Sequence, residues 1–151
     1  MIQRKQTLFL LQLAFLSISL LFVPIQFIND ATNTIGLTLL PLKDANYQSS
    51  TGHFGAIALN MAGIILALVT IFLFKRRELQ VRLCYILMLI YLVLIAMIAL
   101  CPFVTSIKEG FATKTNIFAY IICAVCVLSA FLAARFIKKD IELLKSTERI
   151  R

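Results

Sequence analysis

Of the 151 residues, 61% are hydrophobic and 15% charged, with a mean hydropathy of +0.95 and a net charge of +8. Soluble domains average roughly 45–50% apolar and 25% charged residues. The composition therefore excludes disorder, a nucleic-acid-binding arm and an ordinary cytosolic enzyme.

The apolar residues fall in four blocks free of Asp, Glu, Lys and Arg: 7–28, 54–74, 83–107 (with a span expected over 83–104) and 115–134. Each is close to the ~20 residues a helix needs to cross about 30 Å of hydrocarbon. A chain of this size cannot bury four such blocks on all sides in water. In lipid every backbone N–H and C=O must pair internally, which selects helices. The expected fold is all-α: a single membrane domain over 1–151, built as a four-helix up-down transmembrane bundle.

The first block follows Arg4 and Lys5, an arrangement shared with signal peptides. It is longer than the usual ~7–15-residue apolar core and lacks a small-x-small cleavage pattern, so an uncleaved span is preferred. Pro24 and Pro102 stand near the outer ends of spans 1 and 3 and are expected to end those helices. The loop 29–53 contains an apolar, partly β-prone stretch at 34–42. It predicts a short hairpin or a segment lying on the end of the bundle. Self-packing of Leu37, Leu39, Leu40 and Leu42 is preferred there to a partner surface.

In span 2, Ala58 and Ala62 are four apart, as are Gly63 and Ala67, a spacing that lets helix backbones approach closely. Span 2 is accordingly expected to be the most buried. Span 4 has its own row in Cys126, Ala130 and Ala134. Beyond it, the tail 135–151 carries Ile137, Ile141 and Leu144 at helical spacing. Phe136, Leu143 and Ile150 repeat every seven residues. Opposite charges pair at Lys138–Glu142, Lys145–Glu148 and Glu148–Arg151. Helix 4 should therefore continue past the membrane.

The bases are sorted. Arg4, Lys5, Lys75, Arg76, Arg77, Arg82 and all six in the tail would share one side. Only Lys43, Lys108 and Lys114 lie on the other, which leaves twelve of the fifteen together. The positive-inside rule assigns both termini and the 75–82 turn to the cytoplasm. The loops 29–53 and 105–114 then face outward. Topology thus explains a pI near 9.6 without nucleic acid. The expected contacts of these bases are the lipid bilayer and its anionic headgroups, worth about 1 kcal/mol per base near the surface.

Polar groups inside the spans are Gln12, Ser17, Ser19, Gln26, Asn60, Thr70, Ser129, Tyr85, Tyr91 and Tyr120. Asn60 is costly unless paired, and Gln12 and Tyr120 are its candidate partners. No ionisable acid or base lies mid-span, which argues against proton- or sodium-coupled transport. No interrupted-helix pair or inverted repeat is evident. Cys123 and Cys126 have CxxC spacing but sit within a span without a matching His or carboxylate. Apolar packing is preferred to redox or metal chemistry for them and for Cys101 and Cys84. His53 is the sole histidine, and one histidine makes no metal site. No catalytic triad order, HExxH or phosphate-binding loop occurs. No cofactor is expected.

Three segments taken together carry a resemblance: Met1-Ile-Gln-Arg-Lys-Gln-Thr7; Phe74-Lys-Arg-Arg-Glu-Leu-Gln-Val-Arg-Leu-Cys84; and Arg135-Phe-Ile-Lys-Lys-Asp-Ile-Glu-Leu-Leu-Lys-Ser-Thr-Glu-Arg-Ile-Arg151. With them the chain resembles, over its whole length, a family of small four-span inner-membrane proteins of the Bacteroidota whose function is unknown. Ile141, Glu148 and Ile150 depart from that family's typical tail. The resemblance implies a bacterial cytoplasmic membrane and no activity. All three segments are cytoplasmic by the charge argument. Candidate interaction residues there are Arg76, Arg77, Gln80, Arg82, Lys138, Lys139, Asp140, Ser146, Glu148, Arg149 and Arg151. Gln80, Ser146 and Glu148 exceed what topology needs, unless they satisfy helix ends.

The resulting expectation is a non-enzymatic accessory or scaffold protein acting through its cytoplasmic face, with a membrane or cytoplasmic protein partner. The alternative is a small transporter or channel subunit lined by Gln12, Asn60, Tyr91, Tyr120 and Ser129. A lipid-acting enzyme, lacking an acid–base pair, comes last.

Overall fold

The computed structural model describes residues 5–29, 34–39, 51–73, 76–109 and 112–149. They form α1 (Lys5–Phe22), β1 (Pro24–Asn29), β2 (Thr34–Thr38), α2 (Thr51–Phe72), α3 (Arg77–Glu109), β3 (Ala112–Thr115) and α4 (Ile117–Arg149). At 1.5 Å per residue, α2 is about 33 Å long, and α3 and α4 about 50 Å each. Three helices carry stretches long and apolar enough to cross a membrane: Phe54–Phe72, Arg77–Leu100 and Ile117–Leu144. The apolar part of α1, Thr7–Phe22, is shorter.

Each helix packs on the next, and α4 closes the ring against α1. The inward positions recur every three or four residues. They are Leu10, Leu13, Ser17 and Leu20 on α1, and Ala56, Asn60, Gly63, Ala67 and Thr70 on α2. On α3 they are Cys84, Leu87, Tyr91, Leu94 and Ile98, and on α4 Ala119, Cys123, Cys126, Ala130, Ala133 and Ile137. This near-3.5 repeat is the seam of a left-handed bundle. Large apolar side chains point away from it, as in the α1 stripe Leu8, Leu11, Phe15, Ile18 and Phe22. An apolar face this continuous is normally covered.

The sequence expectations need several corrections. The first span does not stay helical to residue 28. Pro24 biases Val23 away from the helical region, α1 stops at Phe22, and β1 follows. Hence the hairpin joins 24–29 to 34–38 rather than folding within 34–42. Pro102 does not end α3, which runs on to Glu109, so most of the expected 105–114 loop is helix or strand. A proline forfeits one N–H bond, and the flanking turns outlast that loss. Ala58 and Ala62 face outward, whereas Gly63 and Ala67 face inward. The most buried of the three long apolar stretches belongs to α4 rather than α2. Its small inward residues admit both α3 and α1.

The three strands make one antiparallel sheet in the order β2-β1-β3. Because β1 leaves α1 and β3 enters α4, their pairing (Gln26 opposite Thr115 through Asn29 opposite Ala112) ties those helix ends together. Leu39, just past β2, is 1% exposed and joins the core, in line with self-packing; Leu40 and Leu42 lie outside the described residues. At the far end the rings of Phe9 and Phe136 stack with centroids 5.5 Å apart. The start of α1 and the latter part of α4 therefore share the end opposite the sheet.

Candidate functional site

Among the described residues, polar groups gather at the end of the bundle opposite the sheet, at a node inside it, and at the sheet itself around Gln26 and Asn116.

At the end opposite the sheet, between α2 and α3, Arg76 N–H donates to Leu73 O (3.1 Å) and Gln80 N–H to Arg76 O (3.1 Å). Glu78 occupies the first turn of α3, where a carboxylate suits the helix dipole. Gln80 is buried, and its Nε2 donates to Thr70 O at 3.0 Å. That carbonyl is among the last four of α2 and has no partner within its helix. The expectation that Gln80 belongs to an exposed interaction face is therefore corrected, because the residue seals the end of α2. Arg76, Arg82, Arg135, Lys138 and Lys139 are exposed, and Arg77 and Asp140 are half-buried. Lys138 Nζ stands 5.1 Å from the centre of the Tyr85 ring, a cation–π contact from α4 to α3. Ser146 Oγ donates to Leu143 O of its own helix at 2.8 Å. Glu148 and Arg149 fall on the helical tail, as expected, but their side chains, like Arg151 as a whole, lie outside what is described.

The interior node draws on all four helices. Ser17 of α1 donates its single hydroxyl proton to Leu13 O at 2.8 Å. The short hydrogen bond between Ser17 Oγ and the Tyr91 hydroxyl must then be donated by Tyr91. Asn60 Nδ2 of α2 donates to Ser17 O at 3.1 Å. On α4, Cys126 also meets the Ser17 hydroxyl, and Cys123 and Cys126 lie beside the Tyr91 phenol. Gly63 makes room for that phenol: a Cβ there would stand 2.8 Å from Tyr91 Oη. All five side-chain-bearing residues are at most 1% exposed.

This arrangement changes the expected partner of Asn60. Gln12 is exposed on the outer face of α1 and does not share the node, while Asn60 donates to Ser17. Tyr120 is half-buried and packs against the core. Asn60 Oδ1 has no hydrogen-bond partner, and neither does Gln80 Oε1. Cys84, Cys123 and Cys126 are free thiols. The side chains of Cys101 and His53 are outside the described set. Among the described residues no group of three His, Cys, Asp or Glu is placed to hold a metal ion.

Ser17 and Tyr91 were visible as intramembrane polar groups, yet only the seam aligns them. Asn116 was not singled out, although Asn directly before an apolar run signals a helix start. Its Oδ1 accepts from Phe118 N–H at 3.1 Å, capping α4. Its Nδ2 and N–H reach Pro24 O and Ile25 O, both at 2.8 Å. One residue thus fastens α4 to the sheet.

No curated protein matches the chain, and no solved structure does. A family model described as a domain of unknown function (DUF4293) matches residues 2–150. The chain, matched over nearly its whole length, belongs to the DUF4293 family.

Proposed function

We propose that this protein is a non-enzymatic, four-span accessory or scaffold protein of the bacterial cytoplasmic membrane, acting through a basic face at its cytoplasmic end. The observation that carries the proposal is the grouping of Arg76, Arg82, Arg135, Lys138 and Lys139, all exposed, at the end opposite the sheet. The positive-inside rule turns that end toward the cytoplasm, with both termini. In this reading α1 is the fourth span. Its apolar stretch of about 24 Å is short for the bilayer, and local thinning or snorkelling of flanking bases accommodates such a deficit. The Bacteroidota resemblance supports a bacterial inner membrane. The face contacts anionic headgroups and a membrane or cytoplasmic protein partner, and needs neither cofactor nor nucleic acid. Crosslinking in native membranes, read by mass spectrometry at Lys138, Lys139 and Lys145, tests it. The expected result is a recurrent protein partner, lost when Lys138 and Lys139 are changed to Gln. Recovery of the chain alone, crosslinked to nothing, counts against it.

A second reading, a small transporter or channel subunit, draws on the unpaired Oδ1 of Asn60 inside the bundle. Asn60→Leu separates the two. A folded variant with an unchanged phenotype sinks the transport reading.

A further inference from the structure

We propose that Gln26 is the recognition group of a binding site at the sheet end of the bundle, for a small neutral molecule that offers a hydrogen-bond donor and acceptor side by side, as a primary carboxamide does. The proposal goes beyond the scaffold reading and does not depend on it.

Gln26 lies on β1, the central strand, opposite Leu37 on one side and Thr115 on the other. Successive strand residues normally face opposite sides. Here the register breaks between Pro24 and Gln26, and Ile25 and Gln26 are both buried, at 2% and 0% exposure, while Phe27 is 37% exposed. Such a bulge re-aims a side chain. It takes a polar residue out of solvent in a strand where Phe27 stays outside.

Once inside, the amide is left unused. Neither Nε2 nor Oε1 has a hydrogen-bond partner, although a carboxamide offers two donors and an acceptor with two lone pairs. Asn116 makes the contrast. It sits at the same junction and spends both its amide atoms on the sheet and on α4. A polar side chain whose task was structural would be bonded in the same way. One whose task was packing would be better served by Leu or Met, because a buried unpaired amide destabilises the fold. An amide held pointing inward with both ends free is complementary to a ligand that pairs with both at once.

The ligand is neutral because the inward positions of the bundle carry no Asp, Glu, Lys or Arg among the described residues. The nearby base, Lys114 on β3, pairs with Phe27 and is exposed. A charged guest would be desolvated without a counter-charge. Since Gln26 has no exposure, a ligand reaches it only when the sheet parts from the helices. The edge strands β2 and β3, each paired with β1 alone, flank it.

The test uses the full chain in lipid nanodiscs and reads its melting temperature against acetamide and nicotinamide. Acetate and guanidinium serve as charged controls. The wild type is expected to rise saturably, by about 2–4 °C at high occupancy, with either amide and with neither ion. Gln26→Leu, or Gln26→Met should Leu fail to fold, is expected to melt higher than the wild type without ligand and to ignore the amides. The proposal is overturned if both variants melt lower, since the amide then has a structural partner. It is equally overturned if the wild type ignores both amides, or if wild type and variants respond alike.

Discussion

Replacing Gly63 by Ala probes the interior node with a single methyl group. The new Cβ would stand 2.8 Å from Tyr91 Oη, 3.1 Å from Cζ and 3.6 Å from Ile90 Cγ2. Ordinary contact begins at 3.4 Å, so the hydroxyl is too close by 0.6 Å (3.4 − 2.8). The hydroxyl cannot simply swing aside. Tyr91 is fully buried, and its hydroxyl is bonded to Ser17, itself fixed to Leu13 O. Overpacking of this kind costs about 1–3 kcal/mol, and loss of the Tyr91–Ser17 bond adds about 0.6 kcal/mol within a membrane. Higher helix propensity returns up to about 1 kcal/mol. The net expectation is a loss of about 1.5 kcal/mol. Tyr91→Phe removes the nearest atom and leaves only the Cζ contact, so Gly63→Ala should cost about 1 kcal/mol less in that background. Reversible unfolding in mixed micelles, followed by far-ultraviolet circular dichroism, measures all four corners of the cycle. Gly63→Ala at or above wild-type stability, with the same effect on either background, would refute the geometry of the node.

Two further changes probe the ends of the bundle. Asn116→Ala removes the cap of α4 and the bond to Pro24 O, and should destabilise by about 2 kcal/mol in total. Hydrogen exchange should quicken in 24–29 and 112–120 and stay unchanged in the middle of α3; a uniform increase would contradict a local fastening role. Gln80→Ala opens a hole and frees Thr70 O at the α2–α3 turn, for an expected loss of about 1–2 kcal/mol. Gln80→Met should stay within about 0.5 kcal/mol of wild type, because it removes the unpaired Oε1 together with the bond. Equal losses for Ala and Met in the same unfolding assay would show that the bond, and not the packing, holds the turn.

The exposed bases were legible because charge interrupts an apolar chain. Arg76, Arg82, Lys138 and Lys139 stand exposed, as a solvated face requires. Gln80 takes the second of the two roles its sequence leaves open, satisfying a helix end, and its partner, the Thr70 carbonyl, is a backbone atom with no sequence signature. Asn60 was rightly marked as needing a partner, yet Gln12 was a poor choice for it. In a span apolar on every side, no hydrophobic stripe tells which face is inside. The small and polar residues carry that information, and they do so only jointly: Ser17, Gly63, Tyr91 and Cys126 become one set when four seams are superposed. The strand at Pro24–Asn29 escaped notice for a similar reason. Its apolar residues continue those of α1, and what makes it a strand is pairing on both sides, with β2 nearby and with β3 89 residues away at Thr115 (115 − 26).

The sequence by itself determined that the chain is built of long apolar helices, that a tight basic turn joins the second to the third, and that α4 continues helical through its mixed-charge tail. Those features follow from local composition, backbone hydrogen bonding and charge. Pro24 ends α1 as the sequence predicts, but only the tertiary structure decided that α3 passes through Pro102, that a three-stranded sheet joins the ends of α1 and α4, and which polar atoms meet. Strand pairing and interhelical contact join residues far apart along the chain, and no local pattern specifies such a partner. The unpaired amide of Gln26, neutral and buried in a chain of net charge +8, belongs to this second kind of knowledge.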